Sequence, residues 1–355
     1  MKKELLLATT IAGVALGATS ASAVTSSMSG NHRVGLLDVD KDSSNATTGT
    51  TNTDIESSFS VSLEETMDSG TVISGSFSMM SESAAFNYTG ASGITLAFTD
   101  GSSLDLISGG DAHKSHDVAV PGASGEMSIA TGSSNSAKNG IDGVGGSNGV
   151  GFEWHSADDV AGVEGMSVSF SYSNGDETAT SGATVAIDSS ISAGVTYVTT
   201  TGDTTVTIGA GIHEANDNNS TTITETSVFH IGAVAVNGDL TFGAGVGSGE
   251  FGHDTAGDHQ EVSDWQSTEI GISYVSGDFT LTASSVDSES TDAASGSTPS
   301  GSADEVSKQA VSVDYAVASG VTTTVGFLTQ TAKDEGTKKD TSSGSSWYIG
   351  TNLSF

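Results

Sequence analysis

The chain of 355 residues contains no cysteine, two prolines and a single arginine, Arg33. Without cysteine there are no disulfides, no thiolate ligands and no thiol nucleophile, so stability has to come from chain pairing. Basic residues are scarce: 10 lysines and arginines face 44 aspartates and glutamates, a net charge of −34. A field of that sign repels nucleic acid and attracts cations, and it also suits salty surroundings that screen self-repulsion. Nucleic acid is therefore excluded as a partner. Long apolar runs are missing beyond the N-terminus, and no other segment approaches the roughly 20 residues of a membrane-crossing helix. What is abundant is glycine, at 46 residues, together with serine and threonine. That mixture fits many strands and turns better than helices.

The N-terminus opens on Met1-Lys2-Lys3, continues with an apolar stretch from Leu5 to Ala18, and reaches Ala21-Ser22-Ala23. A basic start, a short apolar stretch and a small-x-small site read as a cleaved secretory signal over residues 1–23. Residues 24–355 would then form the mature domain.

The C-terminus alternates. Trp347, Ile349, Thr351, Leu353 and Phe355 share one face, and Tyr348, Gly350, Asn352 and Ser354 share the other. The alternating segment is about as long as a tilted strand needs to cross a bilayer. The same pattern recurs upstream as hairpins. Phe229, Ile231, Ala233 and Ala235 lead into Asn237-Gly238-Asp239, and Leu240, Phe242, Ala244 and Val246 lead back. Ser276-Gly277-Asp278, Ala318-Ser319-Gly320 and Thr201-Gly202-Asp203 punctuate further pairs. Between hairpins lie polar stretches at 249–264, 287–305 and 333–344. Short turns alternating with long loops, and apolar residues on only one side of each strand, predict a closed antiparallel transmembrane β-barrel. Its short turns would face the periplasm and its long loops the exterior. The hairpins sum to about 16 strands, an even number as a closed bacterial barrel requires. The first strand is expected over 28–38.

A strand of this kind ending on an aromatic residue resembles the final strand of bacterial outer-membrane β-barrels. There it carries the insertion signal, which assigns that role to Trp347, Tyr348, Ile349, Leu353 and Phe355. With the leader, the strand order and a long stretch at 109–147 between the fifth and sixth strands, the chain resembles the general bacterial porins of the alphaproteobacterial kind. The resemblance covers the mature chain and is one of pattern. It implies an outer-membrane location, lipid and barrel-insertion machinery as partners, a homotrimer, and a loop folded into the lumen. The function it implies is passive diffusion of small hydrophilic solutes through a water-filled channel.

The basic ladder that porin constrictions commonly set against acidic loop residues is not affordable here. A cation-preferring pore follows, with Asp111, Asp117 and Asp142 as constriction candidates and His113, Lys114 and His116 beside them. Two groups have imidazole and carboxylate spacing that suits a metal: Asp111 and His113 with His116 and Asp117, and His253, Asp254, Asp258 and His259. Neither matches a fixed zinc pattern. Asp38, Asp40 and Asp42 have the spacing of the start of a calcium loop, although Ser43 and Gly49 stand where such a loop needs glycine and glutamate. No cofactor beyond a possible calcium ion, and no enzyme activity, is expected. The alternative is an exported acidic surface or adhesin protein stiffened by calcium. It would share the leader and composition but would not need the hairpin asymmetry or the aromatic end.

Overall fold

The computed structural model describes residues 24–43, 46–82, 85–91, 93–106, 111–124, 150–174, 187–217, 222–223, 225–251, 254–255, 263–291, 303–334 and 341–355. The 1–23 leader and Asp142 lie outside them, as do His253, Asp258 and His259.

The strands are β1 (Thr25–Ser43), β2 (Ala46–Thr66), β3 (Val72–Glu82), β4 in two pieces (Ala85–Ala91 and Ile94–Ala97), β5 (Ser103–Leu106), β6 (Val150–His155), β7 (Met166–Asn174) and β8 (Ile187–Thr201). They continue with β9 (Thr204–Asp217), β10 (Glu225–Asn237), β11 (Leu240–Phe251), β12 (Ser263–Ser276), β13 (Phe279–Thr291), β14 (Ala303–Ala318), β15 (Val321–Asp334) and β16 (Thr341–Ser354). Each strand pairs antiparallel with its neighbours in sequence, both pieces of β4 pairing with β3. Finally β16 pairs with β1, from Asn31↔Ser354 to Ser43↔Ser342. The sheet is therefore a closed ring of 16 strands with no free edge, as the alternating pattern required. A small ribbon, Thr222–Ile223 with Asp254–Thr255, joins two of the connections at one end.

The usual relation of apolar residues to solvent is reversed. Among the described residues, only Val306 and Ala332 form an apolar cluster of buried residues. Phe229, Ile231, Phe242, Ile270, Ile272, Leu281, Val313, Phe327 and Ile349 are all exposed on one side of the wall. A water-soluble protein does not leave a continuous apolar band on its surface, whereas a barrel in lipid must. Along β16, Trp347 and Phe355 bracket the band. They stand eight positions apart, about 26 Å of strand and roughly 20 Å of height at the usual tilt, close to the band of about 25 Å in such barrels. Among the described residues no helix is long and apolar enough to cross a membrane.

The turn chemistry follows the glycines. Gly70, Gly101, Gly202, Gly238, Gly277 and Gly320 all have φ between 57° and 89°. They sit in the tight turns at one end of the barrel, which is also where residues 24 and 355 lie. A β-carbon is disfavoured in that left-handed region, so Asn-Gly and Ser-Gly pairs fix these ends.

Several strands run further than their apolar alternation. β1 extends from 25 to 43 rather than 28 to 38, and it pairs with β2 as far as Ser43↔Ala46. β11, β13 and β15 likewise continue into stretches expected to be loops. Alternation records only the part of a strand that lipid covers. Beyond it, Ser- and Thr-rich chain still pairs, but with nothing apolar to mark a face. Asp38, Asp40 and Asp42, which have the spacing of the start of a calcium loop, stand on β1 within the ladder to β2 and β16. The Asp38 carboxylate accepts hydrogen bonds from Trp347 Nε1 at 2.9 Å and Thr51 Oγ1 at 2.6 Å.

Candidate functional site

The wall has a second face, opposite the apolar one, and residues 111–124 lie along it. A one-turn 3-10 helix, Lys114–His116, begins this segment, and Pro121 occurs near its end. The segment crosses the wall strand by strand. Ser115 Oγ donates to Glu153 on β6 at 2.9 Å. The backbone N–H of Ala112 donates to Ser171 on β7 (3.1 Å), and that of His113 to Ser192 on β8 (2.7 Å). His116 bonds Ser169 on β7 and Thr196 on β8 through its two ring nitrogens, at 2.8 and 2.7 Å. His230 on β10 bonds the His113 carbonyl through Nε2 at 2.9 Å. At the far end, the Ser124 N–H donates to Ser312 and its hydroxyl to Asp314, both on β14 and both at 2.8 Å.

Between these anchors the wall is glycine. A β-carbon at Gly209 would come within 3.0 Å of the His116 carbonyl oxygen, one at Gly232 as close to Val118, and one at Gly271 as close to the Pro121 carbonyl oxygen. Gly194, Gly211 and Gly243 are equally tight against His116, His113 and Pro121. These glycines are cross-strand partners: Gly194↔Gly211, Gly209↔Gly232 and Gly243↔Gly271. The polar strand face was expected to be wet throughout. Over β8–β12 it is instead a smooth track that lets backbone approach backbone.

Of the sequence candidates, Asp111, His113, Lys114, His116 and Asp117 all belong to this segment. Asp111 pairs with Lys114 at 3.3 Å. Burial pushes the pKa of His116 down to about 4, with smaller contributions from His155 and His230, so its ring is neutral at ordinary pH. That leaves each ring nitrogen to serve a hydroxyl. Lys114 and Asp111 face each other at the segment's start, whereas His116 is turned to the wall.

Three residues that sequence reasoning passed over join the site. His213 on β9 is 1 % exposed, and its ring lies 4.9 Å, centroid to centroid, from that of His113. His230 is fully buried 5.8 Å from the same ring. Glu153 lies 3.4 Å from His155, whose ring also reaches Asp105 at 3.1 Å. Their signal was parity: His213 follows outward-facing Ile212, and His230 stands between outward-facing Phe229 and Ile231, so both point inward.

Half the circumference away, β16, β1 and β2 carry a second polar cluster. Arg33 Nε donates to Asp54 and Nη2 to Glu56, each at 2.7 Å. Tyr348 donates its hydroxyl to Asp54 at 3.0 Å and lies over Gly35 and Gly350. Tyr348 is therefore on the inner face, while Trp347, Ile349, Leu353 and Phe355 are exposed on the outer one.

A closed wall, apolar outside and polar inside, with a segment strapped to its inner face, defines an outer-membrane β-barrel channel. The family model for Gram-negative porins matches residues 6–350, and the chain belongs to that family. The structure is similar to OmpT of Vibrio cholerae, an outer membrane protein in a trimer form, with a TM-score of 0.61 at 13% identity over 94% of this chain and all of that one. It is similar to an anion-selective porin from Comamonas acidovorans, with a TM-score of 0.60 at 14% identity, covering 93% of this chain and all of that one. It is also similar to the outer membrane channel DcaP of Acinetobacter baumannii, with a TM-score of 0.64 at 10% identity, covering 96% and 99%. No curated protein sequence matches it. Identities this low carry the fold and leave ion preference to the side chains of this chain. The family places the protein among the porins of the Gram-negative outer membrane.

Proposed function

We propose that the protein is a water-filled channel for passive diffusion of small hydrophilic solutes, with preference for cations, and that the segment from Asp111 to Ser124 forms its constriction. The observation that carries the preference is the imbalance of charge on the inner face. Asp54, Glu56, Asp105, Glu153, Glu269 and Asp314 lie there, while the cations described on that face are Arg33, Lys114 and Lys308. Two of those cations already face carboxylates. In a narrow, low-dielectric passage an uncompensated acidic lining raises the local concentration of cations. In planar bilayers with a salt gradient, the reversal potential should have the sign of cation selectivity and shrink as salt screens the lining. A reversal potential near zero, or of the opposite sign, would overturn the preference; absence of conductance would overturn the channel.

A homotrimer fits the porin family and the trimer form of the Vibrio cholerae neighbour, and conductance should then step in threes.

The leader over 1–23 would carry the chain to the periplasm, and the last strand would be read by the insertion machinery. Phe355 also closes the ring: it exchanges both backbone hydrogen bonds with Gly30, each at 3.1 Å, and its ring is exposed on the lipid side. Deleting Phe355 should sharply reduce the amount of heat-modifiable barrel recovered from outer membranes, and Phe355→Trp should retain it. Equal recovery from the deletion would remove the insertion role.

A further inference from the structure

We infer that Asp111, His113 and His213 form a binding site for a borderline divalent transition-metal ion, of which zinc is the type, at the start of the strapped segment. One ligand atom from each residue lies within 4.8 Å of the others. Asp111 offers two oxygens with different partners. Oδ2 faces Lys114 Nζ, whereas Oδ1 is buried, accepts no hydrogen bond, and lies 3.9 Å from His213 Nδ1. That distance is too long for a hydrogen bond. Both nitrogens of the His213 ring are buried with no hydrogen-bond partner, a costly state for a polar ring inside a protein. Serine and carbonyl groups hold one ring nitrogen of each neighbouring histidine, His113 Nδ1 on Ser192 and His230 Nε2 on the His113 carbonyl, whereas His213 has neither nitrogen bonded.

The donor set selects the ion. Two imidazoles and one carboxylate suit zinc, copper or nickel, whereas calcium and magnesium require more oxygens. Metal–ligand bonds of about 2.0–2.2 Å put tetrahedral ligands roughly 3.3–3.6 Å apart, so the three side chains need to close by about 1 Å. His113 is already oriented from behind, its Nδ1 lying 2.9 Å from Ser192 Oγ, as ligating histidines commonly are. Three protein ligands leave a position open to water or solute, which is the arrangement of an exchangeable site. Lys114 opposes the ion electrostatically, and its position on the other carboxylate oxygen keeps Oδ1 in place for the metal.

The test does not depend on conductance. The untagged full chain, refolded in detergent, would be titrated with zinc chloride in the calorimeter with excess calcium present to occupy surface carboxylates. Copper would then be added for electron paramagnetic resonance. One zinc ion per chain and nitrogen hyperfine splitting on copper are expected. Asp111→Asn and His213→Ala should each weaken zinc binding by about tenfold or more, and His32→Ala, remote from the cluster, should leave it unchanged. Heat-modifiable migration on gels checks that each variant is a folded barrel, and Asp111→Asn touches no strand. Absence of saturable zinc binding, or binding unaffected in Asp111→Asn, would overturn the site and leave the cluster to water.

Discussion

The double variant Gly209→Val, Gly271→Val should form a normal barrel whose single-channel conductance is lower and whose open-channel current is noisier. Both positions press on carbonyl oxygens of the strapped segment, Gly209 on His116 and Gly271 on Pro121, with no room for even one β-carbon. Ordinary contact needs about 3.4 Å or more, so the segment has to move off the wall by more than an ångström. The strands are the less yielding partner. Gly209 is held in ladders to both β8 and β10, and Gly271 in ladders to β11 and β13.

Magnitudes decide where the segment goes. Overpacking costs about 1–3 kcal/mol per site. The two ends of the segment are held by hydrogen bonds at Ala112, His113 and His116 on one side and Ala123 and Ser124 on the other, worth about 1 kcal/mol each. The ends therefore stay and the middle, carrying Val118 and Pro121, bows into the lumen. Conductance falls because the passage narrows, and noise rises because the middle has lost its seat. Hydrogen exchange at 117–122 should accelerate while the strand amides remain protected. Unchanged conductance together with unchanged exchange would mean that the glycine track does not set the segment's position. A rise in conductance would mean that the anchors are weaker than the clash.

That track also marks where the sequence stops being legible. The strand faces, the tight turns at Gly202, Gly238, Gly277 and Gly320, and the closing strand can all be read from alternation, because lipid on one side imposes a period of two. The inner face has no such dictator. A glycine between Ile208 and Ala210 reads the same whether it faces water or another backbone. Only the register, which sets Gly209 against Gly232 and Gly243 against Gly271, turns scattered glycines into a surface. The candidate site divides in the same way. Asp111, His113, Lys114, His116 and Asp117 are visible as a local run of chemistry. His213 and His230 are about a hundred residues away and become neighbours only when β9 and β10 pass beneath the segment. The outer end of β1 is not legible as strand because its Asp-rich stretch lies beyond the lipid that gives alternation its meaning. Asp38 on β1 accepts hydrogen bonds from Trp347 and Thr51.

Arg33→Met should destabilise the barrel and strengthen its cation preference at the same time. Arg33 binds Asp54 and Glu56 across β1 and β2, and Tyr348 of β16 binds the same aspartate, so one guanidinium organises the strands at which the ring closes. Removing it leaves two carboxylates side by side, their side chains only 11% and 20% exposed, with nothing to balance their charge. Losing one partner of a buried pair costs about 3–5 kcal/mol; water in the lumen reduces this, and about 2 kcal/mol is the expected loss. Arg33→Lys restores the charge but not the fork that reaches both acids, so it should recover the reversal potential more fully than the stability. The triple variant Arg33→Met, Asp54→Asn, Glu56→Gln distinguishes a missing attraction from an abandoned charge. With both signs removed, stability should return most of the way, because the cost lies in the unpaired carboxylates rather than in the loss of a favourable bridge. Thermal unfolding in detergent, read by the heat-modifiable gel shift, measures the first effect and the reversal potential the second. If Arg33→Met unfolds at the wild-type temperature, the cluster does not hold the seam. If the triple variant is weaker than Arg33→Met, the acids contribute through Tyr348 and not through their charge.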